Sequence, residues 1–139
     1  MEKMHCAVVD IANEGLDVSA AIEFVSDPGF GGIAMFVGRV RDMNHGRRVA
    51  GVSYDLFDVP AVNIFNDIAS DTLRESDGKL KIFVTHAKGR LGIGDLAVVV
   101  AVGSPHRDEA FRACRMVIEK VKHQAPIWKQ EHYEDGNSE

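Results

Sequence analysis

Apolar positions along the chain recur at two periods, and the switches between them divide it into strands and helices. Residues 4–11, "MHCAVVDI", are apolar and β-branched enough for an opening strand. After "NEG", Val18, Ala21, Ile22 and Val25 fall at helical spacing, with Asp17 or Ser19 as the N-cap, and "SDPG" ends that helix. Residues 31–41, "GGIAMFVGRVR", are apolar on both faces, which suits a central strand, and Gly38 interrupts them where something approaches closely. The polar "DMNHGRR" reads as a loop into a second strand, "VAGVSYDLF", and the two strands as a hairpin. Asp58 and Pro60 open a helix whose buried stripe is Ile64, Phe65, Ile68 and Leu73, ending near Glu75.

Leu80, Ile82, Val84 and His86 then alternate with Lys81, Phe83 and Thr85, the period of a strand. The Gly-rich "KGRLGIGD" connects it to the buried strand "LAVVVAVG". Ser104 is the expected N-cap of a long helix, with Pro105 at its first position and Phe111, Cys114, Val117, Ile118 and Val121 on its core face. Pro126 stops it, because the residue before a proline is pushed toward extended geometry. Strands meet through hairpins as well as helices, so the pattern predicts α+β rather than a doubly wound parallel sheet. At 139 residues the chain, 1–139, fits one domain with a single core.

Composition narrows the function more than the fold. A net charge of −5 argues against a nucleic-acid binder, so any anion site must be local. No apolar run approaches a membrane span and the first residues lack a secretory pattern, which makes the cytoplasm the expected location. Cys6 and Cys114 are two isolated cysteines, read as buried thiols rather than a disulfide or metal cluster. The six histidines show no metal-ligand spacing, so neither a metal nor a cofactor is expected, and His86 reads as a satisfied sheet histidine.

Three places gather cations against this acidic background. His106 and Arg107 stand in the first turn of the long helix, where the dipole is already positive and free N–H groups point outward, so an anion would relieve both. The competing reading is that Asp108 and Glu109 neutralise the turn. Arg39 and Arg41 sit two apart on a strand and share a face, and residues 33–37 before them are too apolar to offer a carboxylate. They mark either a shared anion or a sheet edge emerging into water. Finally, "KVKHQAPIWKQE" places Lys122 before the Pro126 break and Lys129 after it. The two converge if the chain folds back over Trp128; otherwise they are ordinary dipole-complementing lysines. "KGRLGIGD" looks like a phosphate cradle but lacks the following helix, and is read as a turn.

Together "FVGRVRD", "KGRLGIGDLAVVVAVGSPHRDEAF" and "KVKHQAPIWKQE" resemble, in order and over nearly all the chain from Gly31 onward, the large catalytic subunit of molybdopterin synthase. The resemblance implies an α/β-hammerhead core with an additional antiparallel β-sheet. It implies a sulfurtransferase that moves sulfur from the C-terminal Gly-Gly thiocarboxylate of a small ubiquitin-like sulfur-carrier subunit to cyclic pyranopterin monophosphate, making the molybdopterin dithiolene. It further implies a homodimer within a heterotetramer. Carried over residue by residue, Lys122 and Lys129 would be catalytic. Substrate would be held by Arg39, Val40, Arg41, His106, Arg107, Lys122, Lys129, Gln130 and Glu131. The chain departs from the family's pattern at Phe57, where a hydroxyl is lost, and at Gln130, where a positive charge is lost. Two other functions stay open on residues alone: a non-catalytic adaptor gripping a ubiquitin-like tail, and an unrelated enzyme binding phosphate esters at the His106–Arg107 turn.

Overall fold

A computed structural model describes residues 2–136 and Ser138. Ten elements follow in order: β1 (Met4–Asp10), α1 (Val18–Phe24), β2 (Gly32–Arg39), β3 (Met43–Asn44), β4 (Arg47–Leu56), α2 (Asp58–Glu75), β5 (Lys81–Leu91), β6 (Leu96–Ser104), α3 (Arg107–Gln124) and β7 (Ile127–Tyr133). This is the expected α+β class. The seven strands form one sheet in the order β2-β6-β5-β4-β3, with β1 also on β5 and β7 also on β4. All pairings are antiparallel except β1 with β5.

The long β5 organises the molecule. Its first part, Lys81–His86, pairs with β6, while its end, Gly89–Leu91, leaves β6 and pairs with β4. One strand therefore serves both the main sheet and the outlying ribbon of β4 and β7. The main sheet is covered on both faces, which is why β6 reads as a nearly continuous apolar run and residues 82–87 of β5 are all buried. On one face α2 and α3 pack Phe65, Ile68, Val117 and Val121 against Ile82, Val84, Val98 and Val100. On the other, Ala21 and Val25 of α1 lie on Phe83, Val99 and Ala101. Phe83 and Thr85 are thus buried, although strict alternation set them opposite the core residues.

Several expectations change in detail. Asp17 caps α1 as anticipated, its side chain accepting from the Ala20 N–H at 3.0 Å. The cap of α3 is His106 rather than Ser104; the Ser104 hydroxyl instead accepts from the His106 N–H at 3.3 Å, and Arg107 becomes the first helical residue. β2 and β4 do not form a hairpin, since β2 pairs with β6; the hairpin is the small β3–β4 turn, in which His45 and Gly46 take positive φ. Half of "KGRLGIGD" is strand, and only residues 92–95 turn. Phe111 is 64% exposed and belongs to no core face. Past Pro126 the chain forms β7, a strand the apolar pattern did not signal because Lys129 and Glu131 interrupt its inward face and Gln130 and His132 its outward one.

Candidate active site

Four elements meet at a cleft of about 770 Å³. Its walls are the end of β2 (Phe36–Arg39) with Arg41, Tyr54 of β4, the last turns of α3 (Ile118, Val121, Lys122) and the start of β7 (Ile127, Lys129). His86 and Val98 also line it. A recess of about 40 Å³ lined by Arg39, Arg41, Asn44, Tyr54, Lys129 and Glu131 lies beside it.

Local structure explains why these side chains converge. Pro126 ends α3 and Ala125 takes an extended ψ of 142°, so the chain reverses into β7 immediately after Lys122 and His123. β7 then pairs with β4 in a register that sets Lys129 opposite Tyr54 and Gln130 opposite Ser53. Alternation along β7 turns Ile127, Lys129 and Glu131 to the cleft side and Trp128 and Gln130 to the other. The fold-back expected between Lys122 and Lys129 is therefore present, but its hinge is a proline and a strand ladder. Trp128 does not anchor it: it is 55% exposed, with its ring edge-on to Phe57 at 5.6 Å.

The electrostatics are one-sided. Lys129 lies 3.4 Å from the Glu131 carboxylate, whose Oε1 and Oε2 both accept from Asn44 Nδ2, at 2.6 and 2.8 Å. Burial opposes ionisation of Glu131, yet the Asn44 hydrogen bond and the Lys129 charge outweigh it and hold the carboxyl below its usual range. Arg39 donates to the Gly94 carbonyl at 3.3 Å, and Arg41 to Asn44 Oδ1 at 3.4 Å. Lys122 stands 5.5 Å above the Phe36 ring. Among the described residues none of these three has a carboxylate partner. Tyr54 is kept protonated, its pKa raised by burial and then by the Glu131 charge.

Arg39, Arg41, Lys122, Lys129 and Glu131 are thus brought together. Val40 also lines the smaller recess, though only 5% exposed, and its backbone is occupied by the 92–95 turn: its N–H donates to Asp95 O at 3.0 Å and its carbonyl accepts from Gly94 N–H at 2.9 Å. Its place is to pin that turn under the arginines. Gln130 points off the cleft side and lines neither recess. His106 and Arg107 are exposed at the other end of α3, 15 residues or about 22 Å of helix from Lys122. A single chain cannot deliver them to the cleft.

Tyr54, His86 and Asn44 were not singled out from sequence as site residues. Only the β4–β7 register and the end of β5 place them there, and neither has a local signature. Both thiols lie elsewhere; burial pushes Cys6 up to about 12 and raises Cys114, so neither supplies a thiolate at neutral pH. A further cleft of about 410 Å³ between the end of α2 and the start of α3 is lined by Glu75, Asp77, Lys79, Glu109 and Arg112. Its three carboxylates stand against two cations, which leaves no concentration of positive charge to hold an anion.

The family model of the MoaE protein matches residues 11–124. A molybdopterin synthase catalytic subunit from Synechococcus elongatus is 43% identical over 130 residues, 94% of this chain and 79% of that protein. Molybdopterin synthase catalytic subunit 1 of Mycobacterium tuberculosis is 38% identical over 132 residues, covering 95% and 87%. The crystal structure of molybdopterin synthase from Staphylococcus aureus superposes with a TM-score of 0.87 at 32% identity, covering 96% of this chain and 93% of that one.

Proposed function

The chain belongs to the MoaE protein family, and from that membership we infer that the cationic cleft is where its sulfur transfer takes place. It acts as the catalytic subunit of a molybdopterin synthase, a sulfurtransferase of molybdenum cofactor biosynthesis. The observation that supports the cleft as its site is charge. Arg39, Arg41 and Lys122 face one cavity with no carboxylate partner among the described residues, in a chain of net charge −5. Uncompensated cations in a partly desolvated cleft favour an anion strongly.

Both reactants implied by the sequence resemblance are anionic. Cyclic pyranopterin monophosphate offers a phosphate to the forked donors of Arg39 and Arg41, whose free N–H groups suit bidentate binding. The thiocarboxylate tail of the small ubiquitin-like subunit is drawn in along Lys122, an exposed cation on the opposite wall. Lys129, oriented by Glu131 and standing between the two, stabilises charge as sulfur bonds to the pterin and the phosphate ring opens. Tyr54 remains a neutral donor beside it. The adaptor alternative would need none of this pairing around Lys129.

His106 and Arg107 enter this scheme only from a second copy of the chain. β2 links the two places: its first residue packs on Arg107, a Cβ on Gly32 falling 3.1 Å from the Arg107 Cα, while its last residue is Arg39 of the cleft. A copy running antiparallel past it would set its own helix start at this cleft, completing the phosphate site in a homodimer. The chain as a whole is one functional domain, and it has among its described residues no helix long and apolar enough to cross a membrane. We place its action in the cytoplasm, where its thiols stay reduced.

The test is reconstitution of the purified chain with a thiocarboxylated small subunit and cyclic pyranopterin monophosphate. Molybdopterin is the expected product. A pair that binds but yields none would replace this reading with the adaptor.

A further inference from the structure

His86 is a buried titratable group to which the scheme above gives no part. It lies on β5 between Val8 of β1 and Val98 of β6, is 6% exposed, and lines the cleft. Its Nδ1 is 2.7 Å from the Ala87 carbonyl oxygen, which can only accept. Nδ1 therefore carries the proton and Nε2 the lone pair. Among the described residues nothing bonds to Nε2, and it is not sealed away from solvent like the unpartnered Thr85 hydroxyl. The Tyr54 ring stands edge-on to the imidazole, 4.9 Å away at 77°, and fixes its plane.

The surroundings keep this nitrogen free. Around the cleft stand Tyr54 from β4, Lys122 from α3, Lys129 from β7, and Arg39 and Arg41 at and beyond the end of β2, while β1 and β6 contribute Val8 and Val98. Glu131 lies beyond Tyr54 in the smaller recess, engaged by Asn44 and Lys129. Burial opposes protonation, and the imidazole pKa is lowered, burial outweighing the bond to Ala87. A neutral base with a fixed tautomer, open to a cleft of cations, is a costly arrangement for a packing residue.

We propose that His86 is a further catalytic residue, whose Nε2 takes a proton from the water that frees the transferred sulfur from the partner's tail. The need for such a step follows from the proposed function, on which this inference rests. Once a thiocarboxylate sulfur has bonded to a substrate carbon it is a thioester sulfur, still joined to the tail's acyl carbon. Water then adds its oxygen to that carbon while its proton passes to Nε2. The acyl–sulfur bond breaks with its electron pair on sulfur, and the tail leaves as a carboxylic acid that ionises. The imidazolium returns the proton to the thiolate or to solvent, restoring the lone pair. No co-reactant other than water is required.

The experiment uses the full chain, a thiocarboxylated small subunit and cyclic pyranopterin monophosphate in single turnover, quenched in acid and weighed by mass spectrometry. His86→Phe keeps a ring against Tyr54, and His86→Asn keeps a donor toward Ala87. Both are expected to form the tail–substrate thioester at the wild-type rate and to release it about a hundredfold more slowly. Release by either variant within twofold of wild type, or slower product without accumulated thioester, overturns the role of His86 while leaving the site reading intact. No product from the wild-type chain overturns both. Should the variants fail to fold, the wild-type profile decides: release is full at neutral pH and is lost only below the ordinary imidazole value of about 6.5. A profile without that acid limb contradicts the proposal.

Discussion

At the residue scale, the site depends on how each charge is held. Among the described residues Glu131 is the only carboxylate lining the recess beside the cleft, and it is consumed in orienting Lys129 and binding Asn44, leaving the arginines unmatched. Because its folded pKa is depressed, its ionised form stabilises the fold above the unfolded carboxylate value, and that contribution disappears as pH falls through the lower folded value. Asn44→Ala should therefore lower Tm at pH 7, with the gap from wild type closing as the buffer is acidified below about pH 4. Paired melts at the two pH values check this, and a gap independent of pH would show that the Asn44 bond is not what holds Glu131 ionised. The cationic residues were legible in sequence because Arg39, Arg41, Lys122 and Lys129 break apolar or amphipathic patterns. Asn44 was not: it sits in a polar loop where an asparagine is unremarkable, and only the approach of β7 gives it a partner 87 residues away.

At the element scale, the cleft is framed by stops rather than by long elements. Pro126 converts the last turn of α3 into the first residue of β7, and β2 ends in a register shift between Gly38 and Arg39 that brings both arginines to the rim. The rigidity behind this comes from the two-sided sheet. A Cβ at Gly103 of β6 would fall 1.9 Å from the Val25 carbonyl oxygen at the end of α1, so Gly103→Ala forces backbone apart. It should cost roughly 3 kcal/mol and lower Tm by about 10 °C, measured by calorimetry; an unchanged Tm would mean that α1 is not seated on the sheet. Helices and central strands were readable from period alone, down to the Asp17 cap and the Pro126 stop. What failed was long-range pairing. Whether β2 turns back on β4 or pairs with β6 is decided by which apolar faces the helices cover, and no local pattern records that. The exposed Phe111 was likewise misassigned, since its helical phase is close to that of Cys114 and only tertiary contact separates them.

At the scale of the whole molecule, the chain holds two of the six basic residues expected at its site, His106 and Arg107, where a single copy cannot use them with the other four. The His106–Arg107 turn and the Lys122–Lys129 cleft lie at opposite ends of α3, and the phosphate site proposed above would span two copies. Arg107→Ala and Lys129→Ala copies, each inactive alone, should regain activity on mixing after dissociation and reassociation. Random pairing gives mixed dimers in half of the assemblies, each with one intact site, or about a quarter of wild-type activity. No recovery on mixing would place both residues in the same copy's site. The family was legible because three motifs stand in register along the chain, and so was the placing of His106–Arg107 and Lys122 at opposite ends of one helix; that Arg39, Arg41 and Lys129 join the Lys122 end rather than the other depends on strand pairing, which has no local signature. The most direct measurement is sulfur transfer by Lys129→Ala and Lys122→Ala in the reconstituted mixture of chain, thiocarboxylated small subunit and cyclic pyranopterin monophosphate. Both folded variants should bind the small subunit and yield at least about a hundredfold less molybdopterin than wild type; undiminished yield from both would contradict the assignment of the cleft.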